Sequence, residues 1–192
     1  TRPPGRQAYT PRVPTVLVTG ATGLVGSHVT RLLVERARRT PDAVAMRSKE
    51  FGIWQPMTWR TYADRVRHFA LGLLELGLEP GEKVAMIGDN RAEWLIADLA
   101  AQSLGGAGVA LFSESLPQEA AYIVEHSDAT IVVAEDQEQV DKLVEVSGDL
   151  PRVRQVVYLE GRGMHGYDEH MLTAFDEVER LGRERESRNP GE

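Results

Sequence analysis

Apolar residues fall along the chain in two alternating rhythms. Short continuous runs occur at Thr15–Val18, Lys83–Ile87, Ala107–Phe112, Thr130–Ala134 and Val153–Leu159, the pattern of strands buried on both faces. Between them, apolar positions recur at spacings of three and four, as in Tyr62, Val66, Phe69, Leu73 and Leu76, which predicts a helix opened by Thr58 or Thr61 and closed at Gly77. The same periodicity predicts helices over 27–39, 91–104, 116–126, 137–146 and 173–181. Asn90-Arg91-Ala92-Glu93 reads as a variant capping box, and Ser115 stands where it can cap the helix after it. Ala43–Arg47 and Ile53–Thr58, joined by Phe51-Gly52, are too close to be anything but a hairpin.

Strands alternating with helices of ten or more residues predict an α/β fold, a doubly wound and mostly parallel sheet, with the small β-hairpin near residues 43–58 set apart. The expected organisation is a disordered basic arm over 1–13, a βα unit with a glycine-rich loop over 14–40, a partial α/β domain over 41–182 and a disordered charged tail over 183–192. The weakly charged stretch Trp94–Phe112 approaches a membrane span in length. Asp98 within it, the Gly105-Gly106 break and the many alanines favour a buried helix followed by a strand.

Composition narrows the chemistry. With 192 residues, 42% of them hydrophobic and 27% charged, the chain has the balance of a folded globular domain. It contains no cysteine, which excludes disulfides, thiolate nucleophiles and cysteine-bound zinc. The net charge of −7 is unevenly spread: residues 1–40 hold seven arginines against the single acid Glu35, a surplus of +6, which leaves −13 for the rest. An acidic body repels phosphate backbones, so no nucleic-acid partner is expected. The start lacks the apolar core of a secretion signal, and with no transmembrane segment expected the reading is cytoplasmic. The charge step near residue 40 reads as a seam between two segments.

The most motif-like feature is Val18-Thr19-Gly20-Ala21-Thr22-Gly23-Leu24-Val25-Gly26, a G-x-x-G-x-x-G loop between a strand and a helix. Such glycines let backbone N–H groups approach a pyrophosphate at a helix N-terminus. Over residues 14–36 the loop resembles the nucleotide fingerprint of extended short-chain dehydrogenase/reductases. That resemblance implies NAD(P) at Gly20, Thr22, Gly23 and Gly26, with Arg47 facing a 2′-phosphate. The family's Tyr-x-x-x-Lys pair is absent, since none of the tyrosines at 9, 62, 122, 158 and 167 has Lys four residues on. A ligand-free helix-capping loop is the competing reading.

A second resemblance covers residues 32–183. It rests on Leu32–Arg47, Gly52-Ile53-Trp54, Met57-Thr58-Trp59, Phe69–Leu73, Gly88-Asp89-Asn90-Arg91-Ala92-Glu93-Trp94 and Ala134–Lys142. In that order these segments resemble the N-terminal part of long-chain acyl-CoA synthetases, of the adenylate-forming (AMP-binding) superfamily. The resemblance implies a ligase of fatty acid metabolism that uses ATP and Mg²⁺ to activate a fatty acid and passes the acyl group to coenzyme A. The family's phosphate loop, a Ser/Thr/Gly run ending in Pro-Lys-Gly, does not occur in these residues, nor does Tyr-Gly-x-Thr-Glu. The expectation is a partial domain with no catalytic residues and no metal ligands of its own. A fragment, a natural fusion and a chimera all fit.

Other features carry less. His165 and His170 with Asp168 and Glu169 have the composition of a cation site but equally that of a solvated loop. Glu135-Asp136-Gln137-Glu138 suits a helix start, where carboxylates meet the positive end of the macrodipole. Trp54, Trp59 and Trp94 are candidates for a lipid tunnel or for plain packing. The alternatives to a partial ligase are a Rossmann-like NAD(P)-binding module and a non-catalytic interaction domain, self-associating through an unfinished apolar face or touching a membrane peripherally.

Overall fold

A computed structural model describes residues 24–50, 52–167 and 171–190. The basic arm over 1–13, the strand expected at Thr15–Val18, and Gly20, Thr22 and Gly23 lie outside the described residues. The chain enters as α1 (Leu24–Arg39), three residues ahead of the expected start. Thr30, Leu33 and Ala37, at spacings of three and four, form its buried stripe. The hairpin follows as β1 (Val44–Glu50) and β2 (Ile53–Thr58), antiparallel, with Glu50 opposite Ile53.

Thr58 then caps α2 (Trp59–Glu75), its hydroxyl accepting from the Thr61 N–H at 3.2 Å. Gly77, at φ +84°, ends the helix in the left-handed conformation, and the Leu78 N–H returns to the Leu73 carbonyl. Chain reversal there feeds β3 (Lys83–Ile87), after which come α3 (Ala92–Ser103), β4 (Ala107–Leu111), α4 (Pro117–His126) and β5 (Ala129–Ala134). Next are α5 (Gln137–Glu145), a 3₁₀ turn at Ser147–Asp149, β6 (Gln155–Tyr158), β7 (Leu172–Ala174) and α6 (Phe175–Arg188).

Strands β3 to β7 form one parallel sheet in the order β4-β3-β5-β6-β7, and β1 and β2 stand apart as their own sheet. Each face is covered. Val84, Met86, Ile131, Val133 and Val157 meet α1, α2, α3 and α6 on one side; Ala85, Ile87, Val132 and Val156 meet α4 and α5 on the other. Every residue of β5 is buried, which is why its sequence reads as an unbroken apolar run. The expected α/β, doubly wound, mostly parallel fold with a separate hairpin is the fold observed. The stretch Trp94–Phe112 resolves into a twelve-residue helix, a turn and a strand. Among the described residues no helix is long and apolar enough to cross a membrane.

The ending differs from expectation. Leu172–Ala174, which overlaps the start of the helix expected over 173–181, is a strand pairing with β6, and the helix behind it runs to Arg188, well into the segment expected to be a disordered tail. The cause is tertiary. Phe175 stacks on Phe69 of α2 with ring centroids 4.1 Å apart, Val178 is fully buried, and Arg185 and Arg188 both bind Glu75 at 2.9 Å. Two expected caps are also replaced. Arg91 stands at the N-cap of α3 with no side-chain cap bond, and at α4 Glu119 reaches back to the Leu116 N–H while Ser115 is buried.

Candidate functional site

In an open parallel sheet, ligands bind outside the carboxyl ends of the strands, where the strand order reverses. Here the reversal lies between β3 and β5. The chain leaves β3 for β4 on one side, then returns across β3 to β5 on the other. The crevice is therefore bounded by Gly88–Arg91 after β3, Glu135 after β5 and Glu160 beyond β6, with Ser113 after β4 at its edge.

These residues are tied to one another. Glu135 is buried; its carboxylate accepts from the Asp89 N–H and, at 2.5 Å, from Arg91 Nε. The other edge of the Arg91 guanidinium meets Glu160 at 2.8 Å. The Ser113 hydroxyl donates to Asp89 at 3.2 Å, and Lys142 of α5 donates to the Ser113 carbonyl at 2.6 Å and pairs with Glu138 at 3.0 Å. Gly88 makes the approach feasible. Its φ of +143° suits glycine, and a Cβ there would lie 2.5 Å from the Glu135 Cβ. Burial alone would lower the Arg91 pKa, but the two carboxylates outweigh it and push the pKa up, so the guanidinium stays charged.

Chemically this is a brace. One guanidinium, shared by two carboxylates, joins the ends of β3, β5 and β6. With Asp89 nearby, the crevice holds more negative than positive charge, which disfavours a nucleotide's phosphates. The crevice thus offers a nucleotide no surplus of positive charge, and among the described residues no group of three or more His, Asp or Glu side chains is placed to hold a metal ion.

A second charged cluster ties α6 to α2. Arg65 lies 5.7 Å from the Phe175 ring centre and binds Glu179 at 2.7 Å and Glu93 at 3.0 Å. Burial pushes the Glu179 pKa up in spite of Arg65, and burial together with Arg67 pushes that of His68 down against the pull of Glu186. Burial, aided by Asp98, raises the Tyr62 phenol to about 12.

The residues singled out from sequence are scattered. Gly26 falls in the first turns of α1, while Gly20, Thr22 and Gly23 are outside the described residues. Arg47 is exposed on β1 opposite Pro56, in the hairpin. The described residues give the NAD(P) expectation no support. A dinucleotide fold needs the strand after the first helix to join the parallel sheet, whereas among the described residues it pairs with β2. Arg47 is accordingly nowhere near a sheet crevice, and the Rossmann-like reading loses its support.

His165 is exposed in the loop after β6, and Asp168, Glu169 and His170 lie outside the described residues. Trp59 and Trp94 pack against the first core, as plain packing predicts, and Trp54 is exposed on the hairpin beneath Lys49. Glu135, read as a helix-start carboxylate, instead braces the strands; Asp136 is the cap, accepting from the Gln139 N–H at 3.2 Å. The bracing residues were not anticipated. Their one signal is positional, since Glu135 and Glu160 are the first acids after two successive apolar runs.

Comparison with known proteins gives a consistent result. The family described as AMP-binding enzyme matches residues 33–188. The long-chain-fatty-acid–CoA ligase FadD15 of Mycobacterium bovis is 30% identical over 146 residues, 75% of this chain and 24% of that protein. The long-chain-fatty-acid–CoA ligase ACSBG2 of Xenopus laevis is 32% identical over 127 residues, 66% of this chain and 17% of that protein. Among solved structures, acetoacetyl-CoA synthetase from Streptomyces lividans superposes with a TM-score of 0.69 at 20% identity, over 77% of this chain and 24% of that one. The chain thus spans a quarter or less of the length of these relatives.

Proposed function

The chain belongs to the AMP-binding enzyme family, and from that membership we propose that it is the scaffold portion of a fatty acid–CoA ligase-like domain, without catalytic power by itself. In the complete enzyme, ATP with Mg²⁺ would activate a fatty acid as its acyl-adenylate, and coenzyme A would accept the acyl group. The share of that work falling to these residues is architectural. The observation that carries the reading is the crevice at the strand ends, where the charges satisfy one another through Arg91, Glu135 and Glu160. No phosphate loop occurs in the sequence to compete for them. A brace of this kind fixes the ends of three strands against which further parts of a domain can be positioned.

Two measurements test this. Palmitate-dependent ATP–pyrophosphate exchange should be absent from the isolated chain, and exchange above the protein-free rate overturns the proposal. Residues 33–188 grafted into FadD15 in place of its matching segment should preserve palmitoyl-CoA synthesis. A graft that folds yet makes no palmitoyl-CoA argues equally against it.

One observation favours a second reading, self-association. Edge strand β4 carries no charged residue, and Phe112 (81% exposed), Leu116 and Leu95 stand exposed around it. Sedimentation velocity across a hundredfold concentration range should then show a monomer–dimer equilibrium, whereas one invariant monomer peak removes the reading.

A further inference from the structure

Away from the strand ends, the sheet flank beneath α5 holds an apolar pocket of about 320 Å³. Val140, Leu143 and Val144 of α5 form one wall; Val156 of β6 and Leu172 of β7 form the other. Ser147, Tyr167 and Met171 also line it, and no described lining residue carries a charge. The only phenol is already engaged. Tyr167 donates its O–H to Asp141 and accepts from Gln137 Nε2 at 3.1 Å. Water in the pocket therefore finds little to bond, and its displacement by an apolar group is favourable.

We propose that this pocket is a binding site for a small neutral hydrophobic ligand, of the size of one aromatic ring with a short alkyl chain. Volume sets the size: an apolar cavity of about 150 Å³ stays dry and takes benzene, and ligand pockets begin near about 300 Å³. Charge sets the class. Asp141 accepts from the lining Tyr167, whereas Glu138 of the same helix is already paired with Lys142. A carboxylate-bearing ligand would meet Asp141 with no cation among the described lining residues to offset it, so the site discriminates against a free fatty acid. The inference is therefore independent of the proposed acyl activation.

Thermal unfolding of the full chain with n-butylbenzene, and with 4-phenylbutyrate as its charged counterpart, tests the site. The expected result is a saturable rise in Tm of about 2 to 4 °C with n-butylbenzene and a much smaller one with 4-phenylbutyrate. Val144→Phe fills the pocket from a half-exposed position and should abolish the rise. Met171→Phe does the same from the other side, should Val144→Phe fail to fold. No rise in the native chain overturns the proposal. So does an equal rise in a folded filled variant, an equal response to 4-phenylbutyrate, or a dimer whose formation alone protects the amides of α5 from exchange.

Discussion

Replacing Gly182 by alanine probes the close approach of α6 to α2. A Cβ on Gly182 of α6 would fall on the His68 carbonyl oxygen of α2, 2.6 Å from the His68 carbonyl carbon and 2.9 Å from the Gly72 nitrogen. All of these are backbone atoms, so no side-chain rotation relieves the clash and the helices must separate. Overpacking of this kind costs about 1 to 3 kcal/mol. Separation also loosens Phe175 and Val178, 3% and 0% exposed, whose full burial is worth about 1.5 to 3 kcal/mol each. Against this stands the helix propensity of alanine over glycine, about 1 kcal/mol. The net expectation is a destabilisation of about 2 to 4 kcal/mol, a fall in Tm of at least about 5 °C for a chain of this size. Urea unfolding followed by circular dichroism measures it, and hydrogen exchange should show α6 losing protection first. Gly148→Ala is the control, because nothing lies within 4 Å of its Cβ position. If Gly182→Ala is neutral or stabilising, propensity dominates and the close helix contact is refuted.

The strand-end brace makes a second prediction. Glu135→Ala leaves the Asp89 N–H without its partner and should cost about 1 to 3 kcal/mol, moderated by the partial exposure of Arg91. A double-mutant cycle with Arg91→Ala should return a coupling of about 0.5 kcal/mol or more; strict additivity would mean the pair contributes nothing. A third prediction concerns pH. The folded-state pKa of His68 lies below its ordinary value near 6.5, held there by burial and Arg67 against Glu186 and Asp64. The unfolded chain therefore takes up that proton first, and stability is lost as pH falls through about 6.5. Glu179 has the opposite sign, because its raised pKa means stability is lost as pH rises from about 4.5 to its folded-state value. Tm profiles from pH 5 to 8 should show the first effect in the native chain and less of it in His68→Gln; identical profiles would refute the assignment to His68.

Much of this protein is written locally in its sequence. The all-buried run of β5 and the three-and-four spacing of α2 each appear in the fold where the pattern puts them, as does the glycine ending of α2 at Gly77. In each case the determinant lies within a few residues: a β-branched apolar run, an amphipathic period, a residue tolerant of positive φ. The family was legible for a related reason, since the order of such segments is itself a sequence property.

What failed was non-local. Leu172–Ala174 is too short to announce itself as a strand, and only its pairing with β6 makes it one. The charged residues 183–188 read as a tail because Glu75, which holds Arg185 and Arg188, lies more than a hundred positions away. Glu135 has the composition of a helix start; the strand order that sets it between Asp89, Arg91 and Glu160 decides that it braces the crevice. Local pattern therefore fixed which elements form, through backbone preference and the burial each segment can offer. Which elements touch, and so which charges are spent on one another, was decided by packing between residues the sequence keeps far apart.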